Sequence, residues 1–576
     1  MEVQLIAPRE RRLSVIEQVL RNRNIDNAYR YLNTTADEKL DPLLLDNMLE
    51  GAKLLMKHIK ANNKIFVQID EDCDGYTSAA LFINYLNKLF PHFAQNNIIY
   101  KTHDRKEHGL VLEYIPEDVS LVVVPDASSN EWALHKALAE LGKEVLVLDH
   151  HNAPNLPETW ACIINNQLCD YPNKSLSGVG VVYKFCSFFD AVLGVSHADD
   201  FLDLVAVGEV ADMMALNNYE NKYLIETGIN NIKNPFVSGM VAKNEFYLKG
   251  KLDPHGISFC IAPAVNAVAR VGSPAERLIM FEAMLDFCAY DMIPSTKRGG
   301  AGQMETKVEQ ACRNCTNVRN RQNRDRDSSL KLAEKLIIEQ DLLKNPILII
   351  QFEHSSVNEN LTGLIANQIA AKYNRPTLIL NEVYVDGVRY WRGSGRNVKG
   401  TKFANFQQFL MDSNLVEYAA GHDNALGVSI YDIQMPAFKN YCATHVDESQ
   451  FAPVYKVDLE FDAGEIDGLD ILSLGDLKSI WGEGVEEPKI YVKNLKVNTS
   501  NLDLLKGSTI KITPVNREDN LSYIMFKAED GVYDMLNTDG VITINVVGTC
   551  ARNDYNNQPQ IIIQDFEIVQ RQTYYF

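Results

Sequence analysis

Between residues 64 and 165 the chain repeats one arrangement: short, continuous apolar runs, IFVQID (65–70), SLVVVPD (120–126), EVLVLD (144–149) and ACIIN (161–165), set among stretches with helical spacing such as TSAALFINYLNKLF and WALHKALAELG. A strand with no polar alternation is buried on both faces, and strands separated by helices build a parallel sheet covered on both sides. This pattern predicts an α/β fold. Ligands of such sheets bind beyond the carboxyl ends of the strands, where the connections diverge. Three of the runs end in acid: Asp70 with Asp72 and Asp74, then Asp126, then Asp149 followed by His150 and His151. They are expected to converge on one cleft. The later helical run FLDLVAVGEVADMMAL sets Asp212 between apolar turns, where a lone buried carboxylate would be costly without a cation or a donor.

Carboxylates brought this close repel one another unless something neutralises them. Divalent cations do so, and an oxygen-rich site with one or two imidazoles suits Mn²⁺ or Mg²⁺, the imidazole tilting the preference towards Mn²⁺. Two such ions about 3.5–4 Å apart can stabilise both oxygens of an in-line attack on phosphorus. The chemistry implied is hydrolysis of a phosphate ester or anhydride. Taken singly, each motif also reads as a loop cap, with Asp72 to Asp74 a solvated turn and His150 and His151 on the surface.

At 576 residues the chain is long enough for three or four domains, each with its own core. A net charge of −20 speaks against nonspecific polyanion binding, yet Lys297 to Arg326 carries eight basic residues against three acidic ones. That segment could line a polyanion channel; a solvated helix face in a linker accounts for the same charges. The ten cysteines lack the spacing of a disulfide framework, which fits a reducing cytoplasm. Cys312 and Cys315 form the single CxxC and read as a helical pair of thiols rather than a zinc site. No tract of 18 apolar residues is present, and MEVQLIAPRERR has no signal-like apolar region, so neither membrane insertion nor secretion is expected. Residues 1–60 read as helical, with the run DPLLLDNMLEGAKLLMKHI starting after Asp41-Pro42; a second α/β pattern begins at PILIIQF (346–352), and from about 450 turn-punctuated strands suggest a small β-barrel.

IDEDCDGYTS, VVPDAS, VLVLDHHNAP and VAVGEVADMMAL resemble, in order and spacing, the four motifs of the DHH phosphoesterase superfamily, named for the triplet found here as Asp149-His150-His151. Within it the chain is most similar to the RecJ branch of single-strand-specific 5′ to 3′ DNA exonucleases, over nearly its whole length. THDRKEHGL (102–110), IAPAVNAVAR (261–270), LTGLIANQIAAKYNRPTLIL, GSGR, AGHDNALG and WGEGVEEP (481–488) carry the likeness beyond those motifs. The resemblance implies that Asp72, Asp74, Asp126, His150 and Asp212 are ligands of two Mn²⁺ or Mg²⁺ ions, with Asp126 bridging. Asp70 binds metal or steadies a ligand, Asp149 binds metal or orients a histidine, and His151 contacts the scissile phosphate. Arg105 corresponds to the arginine that reads the 5′ end, while Arg270, Ser394, Arg396 and His422 correspond to phosphate or nucleotide contacts. An interdomain ion pair is the alternative for Arg270 and Arg396.

The resemblance further implies a helical N-terminal segment (1–60), a DHH domain (61–290), a helical basic linker (291–340), a DHH-associated domain (341–445) and an OB-fold-like β domain (446–576). Glu71 is expected to face solvent, and Gly75 to turn the chain into a helix starting near Thr77. The superfamily's phosphodiesterase branches carry a histidine where this chain has Gln68, which favours the RecJ branch. His108 stands where RecJ proteins carry tyrosine, and Ala420, Asp423 and Asn424 alter a Gly-Gly-His context. The implied function is release of 5′-mononucleotides from single-stranded DNA in repair, recombination or replication. The setting is the cytoplasm of a bacterium or phage-infected cell, and the protein acts as a monomer beside a single-strand-binding protein or helicase. A phosphodiesterase of short oligonucleotides or cyclic dinucleotides, and a non-catalytic replication scaffold, are the competing readings; the intact ligand set argues against the scaffold.

Overall fold

The computed structural model describes residues 1–104, 108–154, 159–300, 302–353, 356–514 and 517–573. The chain forms two compact units: Arg23–Asn320 with Leu477–Glu487, the acid-bearing unit, and Met1–Asn22, Arg321–Asp476 and Pro488–Phe576, the C-terminal unit.

The acid-bearing unit is built on a five-stranded parallel sheet in the spatial order Ile98–Thr102, Lys64–Ile69, Val119–Pro125, Glu144–Asp149, Cys162–Asn165. Strand order reverses between Lys64–Ile69 and Val119–Pro125. The crevice outside their carboxyl ends is therefore the place this topology opens for a ligand. Phe66, Val122, Val124, Val145 and Val147 share one buried cluster with Leu138 of the Trp132–Glu140 helix, and their neighbours Ile65, Val67, Val123, Leu146 and Leu148 are equally buried. Both faces of the sheet are covered, which is why the strands carry no polar alternation.

The helix expected from Thr77 begins at Cys73, because Asp72 caps it by accepting the Gly75 N–H at 3.1 Å. Gly75 lies inside that helix rather than at a preceding turn, and its role is close packing: a Cβ there would stand 2.6 Å from Asp70 Cβ. Glu71, expected in solvent, is half-buried. The N-terminal region also departs from the all-helical expectation. Glu2–Leu5 is a strand paired in parallel with Val454–Val457, and Asp41 caps a single turn, Pro42–Leu44, the long helix starting only at Met48 after left-handed Asn47.

In the C-terminal unit a five-stranded sheet runs Tyr418–His422, Ala425–Tyr431, Val388–Arg396, Thr377–Val385, Leu348–Phe352, with the Thr362–Tyr373 helix against it. A seven-stranded sheet follows, from edge strand Leu459–Asp462 to edge strand Leu502–Leu505. These two edges are not paired with each other among the described residues, so the expected barrel is present as an open ladder of strands. Among the described residues no helix is long and apolar enough to cross a membrane.

Candidate metal centre

Asp70, Asp126 and Asp149 stand at the carboxyl ends of three adjacent strands, Asp72 and Asp74 open the Cys73–Leu89 helix, and Asp212 closes the Leu202–Ala211 helix. Three sets of ligand atoms each lie within 4.8 Å of one another: Asp70, Asp72 and Asp126; Asp74, His150 and Asp212; Asp126, His150 and His151. His150 Nε2 sits 3.2 Å from Asp126 Oδ1, 3.3 Å from Asp212 Oδ2 and 3.9 Å from Asp74 Oδ2.

The fold divides these acids into two kinds. Asp149, fully buried, accepts the N–H groups of Ser129 (3.0 Å), His150 (2.7 Å) and His151 (3.1 Å) and bonds His151 Nδ1 at 2.8 Å. Asp70 accepts the Gly109 N–H at 3.0 Å and bonds His108 Nδ1 at 2.8 Å. Against the upward pull of burial, the His103, His108 and Gly109 contacts bring Asp70 down to about 2. Burial opposes Asp149 in the same way, and its bonds to His151 and Ser129 carry it well below the usual carboxylate range.

The second kind is left short of donors. Burial, then repulsion from Asp70 and Asp74, raises Asp72 to about 6; burial, then Asp74 and Asp72, raises Asp212 to about 8. Asp126 is pushed far up by burial and by its four acidic neighbours. Its Oδ1 is buried without a hydrogen-bond partner, the nearby His150 nitrogen being off hydrogen-bonding geometry, and its backbone is held left-handed at φ 66° by an N–H bond to Leu148 O. Burial depresses His150, favouring the neutral imidazole that a metal requires. An orphaned buried oxygen, mutually repelling carboxylates and a neutral imidazole are a donor set that fits Mn²⁺ or Mg²⁺.

Several positioning residues, Asn266 of the IAPAVNAVAR segment apart, carry no motif signal. Ser177 Oγ (3.1 Å) and the N–H groups of Gly178 (2.7 Å) and Val179 (3.1 Å), at the start of the Gly178–Leu193 helix, all donate to Asp74. Serine and glycine ahead of an apolar run are helix-start signals that mark this segment in the sequence. Glu209 is fully buried, accepts the Ser177 N–H at 3.2 Å, and is raised far above its usual value by burial and Asp74. Asn266 accepts the Cys73 N–H at 2.8 Å. Buried Arg277 donates to the carbonyls of His103, Asp104 and Ala269, fixing the segment that leads to His108.

The family model described as the DHH family, N-terminal domain, matches residues 64–209, a span holding every one of these strand-end acids and histidines. A Bacillus subtilis (strain 168) protein described as "Putative SPbeta prophage-derived single-strand DNA-specific exonuclease YorK" is 34% identical over 582 residues, covering 99% of this chain and 98% of that one. Single-stranded-DNA-specific exonuclease RecJ of the same organism is 24% identical over 581 residues, 95% of this chain and 67% of that one. The chain belongs to the RecJ-like exonucleases of the DHH family. Its fold is similar to that of Thermus thermophilus RecJ crystallised with Mn²⁺, with a TM-score of 0.71 at 19% identity, over 98% of this chain and 79% of that one.

Of the residues the RecJ likeness assigns to substrate, Arg105 lies outside the described residues. Exposed Arg270 ends the Ala262–Val271 helix, and its charge acts on Asp72. Ser394 and Arg396 lie in the C-terminal unit at the start of the Thr362–Tyr373 helix, where Ser394 Oγ meets Thr362 Oγ1 at 2.9 Å and only a glycine, Gly363, leaves room for the guanidinium. Arg396 has no carboxylate partner among the described residues, and burial lowers its pKa. His422 is exposed and joins the same row of the sheet through Ala425. The basic segment spends much of its charge internally: Lys297 (3.2 Å) and Arg313 (2.7 Å) share Glu305, Lys307 pairs with Glu282 and Asp291, and Arg319 donates to the carbonyls of Phe259 and Cys260. Cys312 and Cys315 are buried on the Lys307–Glu339 helix as free thiols.

Proposed function

We propose that this chain degrades single-stranded DNA from its 5′ end and releases 5′-mononucleotides, using two Mn²⁺ or Mg²⁺ ions. The observation that carries this reading is the convergence of three overlapping ligand sets at the switch point of the sheet, with Asp126 common to two of them. Asp72 would serve one ion, Asp74, His150 and Asp212 the other, and Asp126 is placed to serve both. When bound, such ions offset the carboxylate charge, lower the pKa of a water and stabilise charge on the phosphoryl oxygens.

The chain's own groups supply the rest. Asp149 fixes a hydrogen on His151 Nδ1 and thereby aims Nε2 at the scissile phosphate, a usual task for a carboxylate behind a histidine. Asp70, already engaged by His108 and Gly109, acts as a holder of that wall rather than as a principal ligand. Arg105, Arg270, Ser394, Arg396 and His422 take phosphates, and the seven-stranded sheet is the core of an OB-fold-like domain that grips the strand by stacking. The five-part division of the chain, a monomeric state, a cytoplasmic setting in a bacterium or phage-infected cell, a role in repair, recombination or replication, and association with a single-strand-binding protein or helicase complete the proposal.

Strands labelled at either end, incubated with Mn²⁺ or Mg²⁺, test it. Mononucleotides released from the 5′ end, lost with chelator and with Asp126→Ala while strand binding persists, are expected. Cleavage of dinucleotides alone points to the phosphodiesterase reading, binding without cleavage to the scaffold, and hydrolysis by Asp126→Ala refutes the two-metal assignment.

A further inference from the structure

Residues 481–487 of the segment WGEGVEEP lie within the acid-bearing unit although the chain on both sides of Leu477–Glu487 belongs to the other. They are stitched down just beyond Asp212, where the Leu216 N–H donates to Glu483 O at 2.8 Å. Beneath Trp481 is a cavity of about 140 Å³ whose walls include Met213, Pro254, His255, Phe259 and Trp481. Met213 follows the metal-centre carboxylate Asp212 directly in the chain, so one wall of the cavity is built on the segment that carries that carboxylate.

Four features of this cavity are unusual for a surface dent. Met213 holds a left-handed backbone, φ 57°, and exposes 63% of itself, a conformation that a non-glycine residue rarely adopts. Phe259 stands on a π-helical turn, Ile257–Ile261, and is 59% exposed; such an irregularity is frequent at functional sites. Its ring stacks on His255 with centroids 4.2 Å apart and planes inclined by 24°. Trp481 is 7% exposed, yet its indole N–H has no acceptor among the described residues, whereas a buried indole normally finds one. A second cavity of about 470 Å³ shares His255 and Trp481 and is walled by three carboxylates, Asp253, Glu486 and Glu487, against one lysine, Lys478.

These walls select the occupant by chemistry. Aromatic rings and a methionine offer flat, polarisable contact area, and the indole offers one donor; the carboxylates beside them outnumber Lys478 and disfavour an anion. A phosphate does not fit, but a neutral heteroaromatic ring with acceptor atoms does. We propose that this cavity receives one nucleobase of the strand whose phosphate lies at the carboxylate centre, stacked against Phe259 and Met213. The adaptable methionine lets any of the four bases enter, so the contact grips without reading sequence. The inference rests on the single-strand nuclease reading.

The test uses the full chain with Mn²⁺ and strands whose first linkages are non-hydrolysable, followed by fluorescence anisotropy, with hydrolysis of unmodified strands measured alongside. An abasic nucleotide is moved through the first three positions. In the wild-type protein one position is expected to weaken binding roughly 5- to 150-fold, the effect of one stacked base. In Phe259→Ala, an exposed position, the intact strand loses similar affinity and the abasic substitution at that position costs less than about two-fold. Phe259→Trp should tighten the intact strand and leave the abasic one unchanged. If no position shows the loss, or the loss persists undiminished in Phe259→Ala, while unmodified strands are still cut, the base pocket is refuted and the nuclease reading stands. If strands are neither bound nor cut, both fall.

Discussion

Replacing Gly178 with alanine is the most local way to disturb the centre without touching a ligand. The Gly178 N–H donates to Asp74 at 2.7 Å, and a Cβ at this residue would come 2.2 Å from Asp126 Oδ1 and 2.5 Å from Asp126 Cβ. Ordinary contact begins near 3.4 Å, so one partner must retreat by more than an ångström. Asp126 has little freedom to do so, being fully buried at the end of a central strand with its backbone N–H bonded to Leu148 O at 2.7 Å. The Gly178–Leu193 helix must then shift and draw its donors off Asp74. Overpacking of this kind costs about 1–3 kcal/mol of stability, and an ångström of misplacement at reacting groups costs on the order of 10²-fold in rate. Gly178→Ala should therefore melt a few degrees below wild type, bind Mn²⁺ more weakly in calorimetric titration and lose on the order of 10²-fold in kcat/KM. Ser177→Ala, which removes one hydroxyl donor to Asp74 and adds no atom, should fall well short of that. Wild-type Mn²⁺ affinity and turnover in Gly178→Ala would refute the argument that this close approach positions Asp126 and Asp74.

Three further outcomes follow from the same geometry. Asp149→Asn turns an amide N–H₂ towards donors that now face a carboxylate, so kcat should drop about 10- to 100-fold in steady-state assays with Mn²⁺ still bound; an unchanged kcat would show that the hold on His151 does not matter. Lys184→Met strands Glu220, which shares a fully buried ion pair of 2.6 Å with it, and should cost about 3–5 kcal/mol in denaturant unfolding, with Lys184→Met/Glu220→Leu recovering part of the loss. His135 is buried beside Ser128, and burial lowers it to about 4, so the folded state resists a proton that the unfolded chain accepts near 6.5. Stability from this group is complete above about pH 6.5 and is eroded by up to about 3 kcal/mol as pH falls to about 4; in urea unfolding at several pH values, His135→Phe should lack that part of the slope.

The acids could be read from the sequence because each ends an uninterrupted apolar run, and a parallel sheet delivers all such ends to one edge. Asp212 was legible for a different reason, an acid amid apolar helical turns having few physical uses. What could not be read is how the acids are held, because their donors are non-local. Asp74 is bonded by residues 177–179, Cys73 by Asn266, and the segment before His108 is pinned by Arg277, far along the chain. The charge excess of Lys297 to Arg326 suggested a free basic wall, but a count of charges takes no account of partners outside the window: Glu282 and Asp291 lie upstream, and backbone carbonyls appear in no charge sum. The strand-rich C-terminal third showed its strands and not their closure, since local pattern sets strands and long-range pairing sets edges.

The uneven distribution of donors bears on how such a centre is built. A fold that simply minimised repulsion would offer N–H groups to every acid, as it does to Asp149 and Asp70. Instead Asp126 and Asp212 are left to His150 and to the charges of Asp72 and Asp74, at a cost the folded chain bears in raised carboxyl pKa values. Carboxylates held by donors are rigid and make good supports, while under-donated ones keep lone pairs directed into the crevice, where a cation would meet them without displacing a protein hydrogen bond; Asp74, a proposed ligand held by three donors, combines the two roles. Donor-rich and donor-poor acids alternate along the strand ends: Asp70 saturated, Asp126 bare, Asp149 saturated. In this arrangement rigidity is lent to the bare carboxylate by its neighbours, so a substitution at a supporting acid should damage the centre through geometry even where no ligand is lost.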